Sequence, residues 1–332
     1  MLPAFTLPDR FSDWFSRRGW SPRSHQLELT QAALDGESAL LIAPTGGGKT
    51  LAGFLASLIE LEQRGKSNLG RPALHTLYIS PLKALAVDVA RNLMTPVEEM
   101  GLDIRIETRT GDTPQSKRQR QRANPPDILL TTPEQLALFI ASDHAAEFFA
   151  DLKCVIIDEI HAIAPGKRGD LLSLGLATLA QWAPACRFLG LSATVHDPSI
   201  LQRWLGVRQD QPALIKSSGG VSADVEIMVS EERIPWSGHS GRFAAAEVYE
   251  RIKSAKMALV FVNTRAQAEL MFQELWNENE DGLAIALHHG SLAKDQRRRV
   301  EAAMASGAIK AVVCTSTLAL GIGWGEVDLV IQ

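Results

Sequence analysis

The chain has 332 residues, 45% of them hydrophobic and 22% charged, with a formal net charge of -4. Such a composition can fill about two globular cores and excludes disordered, fibrous and collagen-like classes. The slightly acidic balance also excludes a protein coated in positive charge, so any nucleic-acid contact must be local, in a groove or through backbone amides.

The opening segment alternates aromatic and charged residues (Phe11, Trp14, Phe15, Trp20) before Ser21-Pro22-Arg23-Ser24-His25-Gln26. Proline near a helix start, followed by Leu27, Leu29, Ala32, Ala33 and Leu34, predicts an amphipathic helix. A carboxamide offers a donor and an acceptor together, so Gln26 either reads the edge of adenine or is a solvated helix residue.

Ala39 to Ile42 then form an apolar run that gives way to Ala43-Pro44-Thr45-Gly46-Gly47-Gly48-Lys49-Thr50, with a helix expected from Leu51. Strand, glycine-rich turn and helix together make a phosphate cradle. The backbone N-H groups of Thr45, Gly46, Gly47 and Gly48 can approach phosphate, Lys49 can reach the outer phosphates, and the Thr50 hydroxyl can ligate Mg²⁺. Ala43 stands where the usual pattern opens with glycine.

Two strand-to-helix corners follow. Leu74 to Ser80 reads as a buried strand running into Pro81-Leu82-Lys83, and Asp127 to Thr131 as another running into Thr132 as N-cap and Pro133 as the first helical residue. Each corner is either an anion site on one face or an ordinary joint of an alternating α/β domain. Between them, Thr110-Gly111-Asp112-Thr113-Pro114 is a turn. The basic run Lys117, Arg118, Arg120 and Arg122 is either a solvated face or a track for a phosphodiester backbone.

The run Cys154-Val155-Ile156-Ile157 ends in Asp158-Glu159-Ile160-His161. Two carboxylates at the end of a buried strand need a partner, and beside a phosphate loop that partner is Mg²⁺. Asp158 would hold the ion, and Glu159 would orient and deprotonate the attacking water. His161 either relays the state of the γ-phosphate or is a structural histidine. The leucine-rich helix Leu171 to Leu179 reads as core on nearly all sides. A further strand, Arg187 to Leu191, ends in Ser192-Ala193-Thr194.

Breaker clusters from Lys216 to Gly241, around a predicted strand Val225 to Val229, mark a junction. A second α/β series then runs from a helix at Phe243 to Lys253 through strands at Met257 to Val262, Leu283 to Leu287, Ala311 to Cys314 and Val327 to Ile331. It has no phosphate loop of its own, which suggests a lid for the first domain's site. The three cysteines, Cys154, Cys186 and Cys314, are isolated and lack CxxC spacing, as expected of reduced thiols rather than a zinc site. No run reaches the roughly 18 apolar residues of a membrane span, and Met1 to Phe5 carry no leader pattern, so we expect a cytoplasmic protein without a membrane partner.

In this order the segments resemble superfamily 2 helicases: APTGGGKT at Ala43 to Thr50, SPLKALA at Ser80 to Ala86, TGDT at Thr110 to Thr113, TTPEQL at Thr131 to Leu136, DEIH at Asp158 to His161, SAT at Ser192 to Thr194, VFVNTRAQAE at Val260 to Glu269, HHGSL at His288 to Leu292 and TSTLALGIG at Thr315 to Gly323. The wording is most similar to the large helicase-related (Lhr) family, in its ligase-associated DEXH-box branch. The resemblance implies two tandem RecA-like domains, each a mostly parallel sheet flanked by helices. We place them at 1-215 and, incomplete, 242-332, with a linker at 216-241.

The resemblance further implies an ATP-dependent 3′-to-5′ translocase of DNA repair. Gln26 would read adenine, Lys49, Thr50, Asp158 and Glu159 would bind and hydrolyse MgATP, and Ser192 and Thr194 would couple hydrolysis to movement. Lys83, Thr110, Gly111 and Thr132 in the first domain, and Thr264, Arg265, His289, Gly290 and Thr315 in the second, would meet the nucleic-acid backbone. The implied partner is single-stranded DNA or a duplex with a 3′ tail, with RNA or a hybrid as alternatives and a DNA ligase or nuclease by analogy. A nucleotide-gated binding module without motor activity is the competing class.

Two departures bear on activity. Gly323 stands where the family has aspartate, and the sequence stops at Gln332 before the segment in which the family carries QxxGRxxR. An arginine finger is worth about 10³ to 10⁵ in rate. From this sequence we therefore expect a fragment with ATP binding but weak hydrolysis and unwinding.

Overall fold

Short apolar runs separated by amphipathic stretches are the pattern of strands buried on both faces and linked by crossover helices, and the computed structural model has that architecture. It describes residues 5–44, 46–65, 72–208, 211–217, 224–228, 241–315, 318 and 327–332. The chain divides into two compact units, Met1–Val221 and Ser222–Gln332.

The first unit begins with helices α1 (Asp9–Arg17) and α2 (Ser24–Leu34), then β1 (Ala39–Ile42), α3 (Lys49–Gly65), β2 (Thr76–Ile79), α4 (Lys83–Glu99), β3 (Ile106–Arg109) and α5 (Gln115–Ala123). It continues with β4 (Ile128–Thr131), α6 (Pro133–Ile140), α7 (Ala145–Phe149), β5 (Cys154–Ile157), α8 (Ile160–Ile163), α9 (Lys167–Trp182), β6 (Arg187–Ser192), α10 (Pro198–Leu205) and β7 (Ala213–Lys216). The seven strands form one sheet in the order β3-β4-β2-β5-β6-β1-β7, every pairing parallel. Alternate residues of each central strand feed two cores. Phe54 and Leu58 of α3 meet Tyr78, Leu130 and Ile156 on one face, whereas Phe139 of α6, Leu172 and Leu176 of α9 and Leu205 of α10 meet Leu77, Val155 and Ile157 on the other.

Among its described residues the second unit has a 3₁₀ turn at Arg242–Ala244, then α11 (Ala245–Ser254), β8 (Ala258–Phe261), α12 (Arg265–Asn277), β9 (Ile285–His288), α13 (Lys294–Ala305), β10 (Ala311–Cys314) and β11 (Leu329–Ile331). Its strands lie in the order β11-β8-β10-β9, again all parallel.

Two expectations need correction. Leu171 to Leu179 is not core on nearly all sides: Leu171 is 37% and Leu174 70% exposed. One face of α9 packs on α6, where a Cβ at Gly175 would lie 3.3 Å from Ile140 Cδ1 and 3.4 Å from Leu136 Cδ2, and the other faces away. Residues 224–228 form no strand, and Val225 and Ile227 are 83% and 85% exposed, because alternation without a neighbouring sheet edge has nothing to pair with. The edge strands β3 and β7 were not expected, since half-exposed strands such as Ile106-Glu107-Thr108-Arg109 lack an apolar run.

Candidate functional site

In a wholly parallel sheet all strands end on the same edge, which is where open α/β folds bind ligands. At that edge β1 delivers the glycine turn, β2 Lys83, β3 Thr110 and Gly111, β4 Thr132, β5 Asp158 and Glu159, and β6 Ser192 and Thr194. The topology therefore brings every expected residue of the first unit to one edge, apart from Thr45, which lies outside the described residues, and Gln26, which reaches it from α2.

The glycine turn is tight for a steric reason. Gly46 and Gly48 have φ of +75°, and a Cβ at Gly47 would come within 2.7 Å of the Pro44 carbonyl oxygen. Lys49 opens α3, is 7% exposed, and donates from Nζ to the Ala43 carbonyl at 3.0 Å. Helix α2 buttresses the turn. His25 Nε2 lies 2.9 Å from Gly47 O, and the Gln26 carboxamide donates to Gly48 O at 3.2 Å while accepting from Arg23 N at 2.9 Å. Gln26 is 4% exposed, so the solvated alternative is set aside. A Cβ at Gly48 would meet Gln26 Nε2 at 2.6 Å.

Asp158 is 2% exposed, and both of its oxygens are held: Tyr78 donates its hydroxyl to Oδ2 at 2.5 Å, and Glu159 N donates to Oδ1 at 2.8 Å. Burial pushes the Asp158 carboxyl up to about 6 against the opposing pull of the Tyr78 hydrogen bond. Burial also raises the Glu159 carboxyl, with Lys49 opposing. Glu159 itself sits at φ 48°, ψ 44°, the one positive-φ non-glycine residue among those described. A left-handed glutamate costs about 1 to 3 kcal/mol and marks a site where geometry is imposed.

Glu159 Oε2 lies 3.4 Å from His161 Nε2, and His161 Nδ1 lies 3.2 Å from Ser192 Oγ. Burial, then the Lys49 charge, lowers the His161 pKa and favours a neutral ring able to accept on one nitrogen and donate on the other. A continuous path thus runs from the acid after β5 to the hydroxyl at the end of β6. Thr194 is exposed at the same edge.

The acids with Thr50 do not form a closed cage of protein ligands. Among the described residues no group of three His, Cys, Asp or Glu could hold a metal. That donor set fits Mg²⁺, which keeps waters and takes one or two carboxylates plus substrate phosphates.

Farther along the edge, Lys83 Nζ pairs with Asp112 at 3.2 Å and lies 3.0 Å from where a Cβ at Gly111 would be. Thr110 N donates to Thr113 Oγ1 at 2.9 Å, and Arg118 of the basic run donates to the carbonyls of Thr110, Gly111 and Thr113. Arg120 pairs with Glu107 at 2.6 Å. Two members of the basic run are thus engaged in holding β3 and its turn. Thr132 stands at the N-cap position of α6 without a side-chain hydrogen bond to the helix, and Pro133 follows as its first residue.

In the second unit, Thr264, His289, Gly290 and Thr315 follow β8, β9 and β10 at one edge of that sheet. Thr264 and Gln267 form a capping box at the start of α12, and Arg265, the first residue of that helix, donates to Ser291 Oγ. His289 is 2% exposed, with Nε2 3.4 Å from Glu269. Residues 316–317 and 319–326, including Gly323, lie outside the described residues.

Tyr78 and His25 were missed in the sequence. Tyr78 reads as an ordinary apolar strand residue and His25 as a helix residue beside Gln26; neither carries a local signal.

Comparison with known proteins places this geometry in context. The model of the DEAD/DEAH box helicase family matches residues 23–201, and that of the helicase conserved C-terminal domain matches 243–332. The chain is 35% identical to the Lhr helicase/uracil glycosylase of Escherichia coli (strain K12), over 99% of this chain and 26% of that protein. It is 33% identical to the ATP-dependent helicase Lhr-Core of Methanocaldococcus jannaschii, over 96% of this chain and 39% of that one. The structure of Mycobacterium smegmatis helicase Lhr bound to ssDNA and AMP-PNP superposes with a TM-score of 0.82 at 36% identity, covering 98% of this chain and 44% of that chain. The chain thus spans less than half the length of these relatives. Among the described residues, no helix is long and apolar enough to cross a membrane.

Proposed function

Because the chain belongs to the DEAD/DEAH box helicase family, we propose that it binds MgATP in its first unit and uses hydrolysis to move single-stranded DNA, in the 3′-to-5′ sense, as part of an Lhr-like DNA repair helicase. The observation that carries the reading is the path Glu159–His161–Ser192 at the same sheet edge as the glycine turn and Lys49, with Glu159 in a strained conformation. Lys49 and the turn amides cradle the phosphates, Gln26 would meet adenine, and Thr50 with Asp158 would hold Mg²⁺, which neutralises phosphate charge when bound. Glu159 orients the attacking water and takes its proton. His161 passes the position of that carboxylate to Ser192 and, with Thr194, on to the strand-gripping loops. Lys83, Thr110, Gly111 and Thr132, and separately Thr264, Arg265, His289, Gly290 and Thr315, contact the strand backbone. A DNA ligase or nuclease is a fitting partner for repair work. On this reading the chain is a domain 1-215, a linker 216-241 and a domain 242-332.

The test is binding of a fluorescent ATP analogue and ATP hydrolysis, each with and without an oligodeoxynucleotide. Hydrolysis that depends on Mg²⁺, rises with the strand and is lost in Glu159→Gln supports the motor. Strand affinity indifferent to a non-hydrolysable analogue, with hydrolysis unchanged in Glu159→Gln, identifies instead a binding module without motor activity. Competition between DNA and RNA oligonucleotides decides the strand chemistry.

A further inference from the structure

Arg168 stands at the start of α9, the helix that follows the DEIH segment, and the chemistry above gives it no task. Its place is fixed by the backbone. Gly169 N donates to Gly166 O at 2.9 Å, and a Cβ at Gly169 would run into the Ala164 carbonyl oxygen, so the start of α9 sits hard against the end of α8. From there the guanidinium reaches two corners of the sheet edge. Nη2 donates to Pro81 O at 2.8 Å, in the turn between β2 and α4, and Nε donates to Glu134 Oε1 at 2.6 Å, in the first turn of α6. Each anchored residue lies two positions from an expected nucleic-acid contact, Pro81 from Lys83 and Glu134 from Thr132. Strands β2 and β4 are parallel neighbours with Ile79 opposite Thr131, so the two corners lie side by side. Among the described residues, the backbone ladder between these strands ends with Ser80 N donating to Thr131 O at 3.0 Å, and Arg168 supplies the tie beyond it.

We infer that Arg168 is a positioning residue for the nucleic-acid grip: it clamps the corner after β2 to the corner after β4, so that Lys83 and Thr132 meet the DNA backbone as one surface. A guanidinium is a rigid plane whose donors leave in fixed directions, so bonds from Nε and Nη2 set both the spacing and the orientation of their acceptors. A lysine ammonium is a point donor on a flexible stem and cannot impose both. The side chains of Arg168 and Glu134 are 43% and 47% exposed, and an ion pair as open as that adds little to stability. Its effect is on the placement of two turns. The inference rests on the proposed reading of this edge as the nucleic-acid site.

The experiment measures affinity for a labelled oligothymidine by fluorescence anisotropy, affinity for a fluorescent ATP analogue and the thermal midpoint, in the wild type, Arg168→Lys and Glu134→Ala. Arg168→Lys keeps the charge and loses the fork. Glu134→Ala keeps the arginine and removes its acceptor, which leaves the edge more positive. Both should weaken oligothymidine binding by about tenfold, the loss expected when a charged hydrogen bond to phosphate is misaligned, while affinity for the analogue and the midpoint stay near the wild type. A bare charge facing the DNA backbone would behave otherwise: Arg168→Lys would lose nothing, and Glu134→Ala would bind more tightly. Wild-type or tighter oligothymidine binding in either variant overturns the inference and leaves the motor reading standing. So does a loss matched by an equal loss of analogue affinity and a lowered midpoint, the mark of a merely structural pair. A wild type that does not bind oligothymidine removes the DNA reading of this edge, and this inference with it.

Discussion

Glu60 offers a direct measure of what a buried ion pair contributes at the edge of the sheet opposite the site. Its carboxylate, near the end of α3, accepts from both Nη1 (3.0 Å) and Nη2 of Arg187 and lies 3.4 Å from His75 Nε2. Arg187 opens β6 and is 4% exposed; His75 precedes β2 and is 5% exposed. Burial alone would push the Glu60 carboxyl up, but the hydrogen bonds from His75 and Arg187 outweigh it and hold it at about 2, against a usual 4.5. That difference corresponds to about 3 kcal/mol of stability. Because the folded pKa is the lower one, the contribution is complete above about pH 4.5 and is lost as pH falls toward 2. Glu60→Gln also strands the Arg187 guanidinium without a counter-charge, a change that costs about 3 to 5 kcal/mol in other proteins. For a unit of this size, about 3 kcal/mol lowers the melting midpoint by roughly 6 to 12 °C. Thermal melting followed by circular dichroism, on the transition of the first unit, should show that gap between wild type and Glu60→Gln at pH 7. The gap should narrow by roughly two-fifths at pH 3.5. A loss below about 2 °C at pH 7, or a gap as wide at pH 3.5, would refute the account.

Gly190→Val forces a side chain into the centre of β6, where even a Cβ would lie 3.0 Å from Leu205 Cδ2 and Leu40 Cδ1 and 3.2 Å from Ile160 Cδ1; the expected loss is about 1 to 3 kcal/mol, read by urea titration. Lys49→Ala should weaken binding of a fluorescent ATP analogue by roughly 10- to 100-fold through loss of charged hydrogen bonds to phosphate, with the melting midpoint unchanged. His161→Ala cuts the contact between Glu159 and Ser192, so strand-stimulated hydrolysis should fall about tenfold while affinity for the analogue is retained. An equal loss with and without strand would point to direct participation of the ring instead.

Much of the fold could be read locally because a strand buried on both faces must be apolar along its length, as at Ala39 to Ile42 and Cys154 to Ile157. The glycine turn and the paired acids were legible for the same kind of reason: phosphate needs open backbone, and two carboxylates after an apolar run demand a cation. Strands β3 and β7 were hidden because edges are half-exposed and need no apolar run, and the exposed leucines of α9 because composition does not tell which neighbour covers a face. Val225 to Met228 has the alternation of a strand but lacks the partner that would make it one.

The sequence by itself determined which residues are fit for phosphate, metal and proton, since those are properties of side chains and short turns. Only the tertiary structure decided their order across the sheet. Placing β5 beside β2 and β6 brings Asp158 to Tyr78 and, through His161, Glu159 to Ser192. Local patterns report burial and turning, but they carry no information on which strand lies next to which, and the contacts at this site follow from that adjacency.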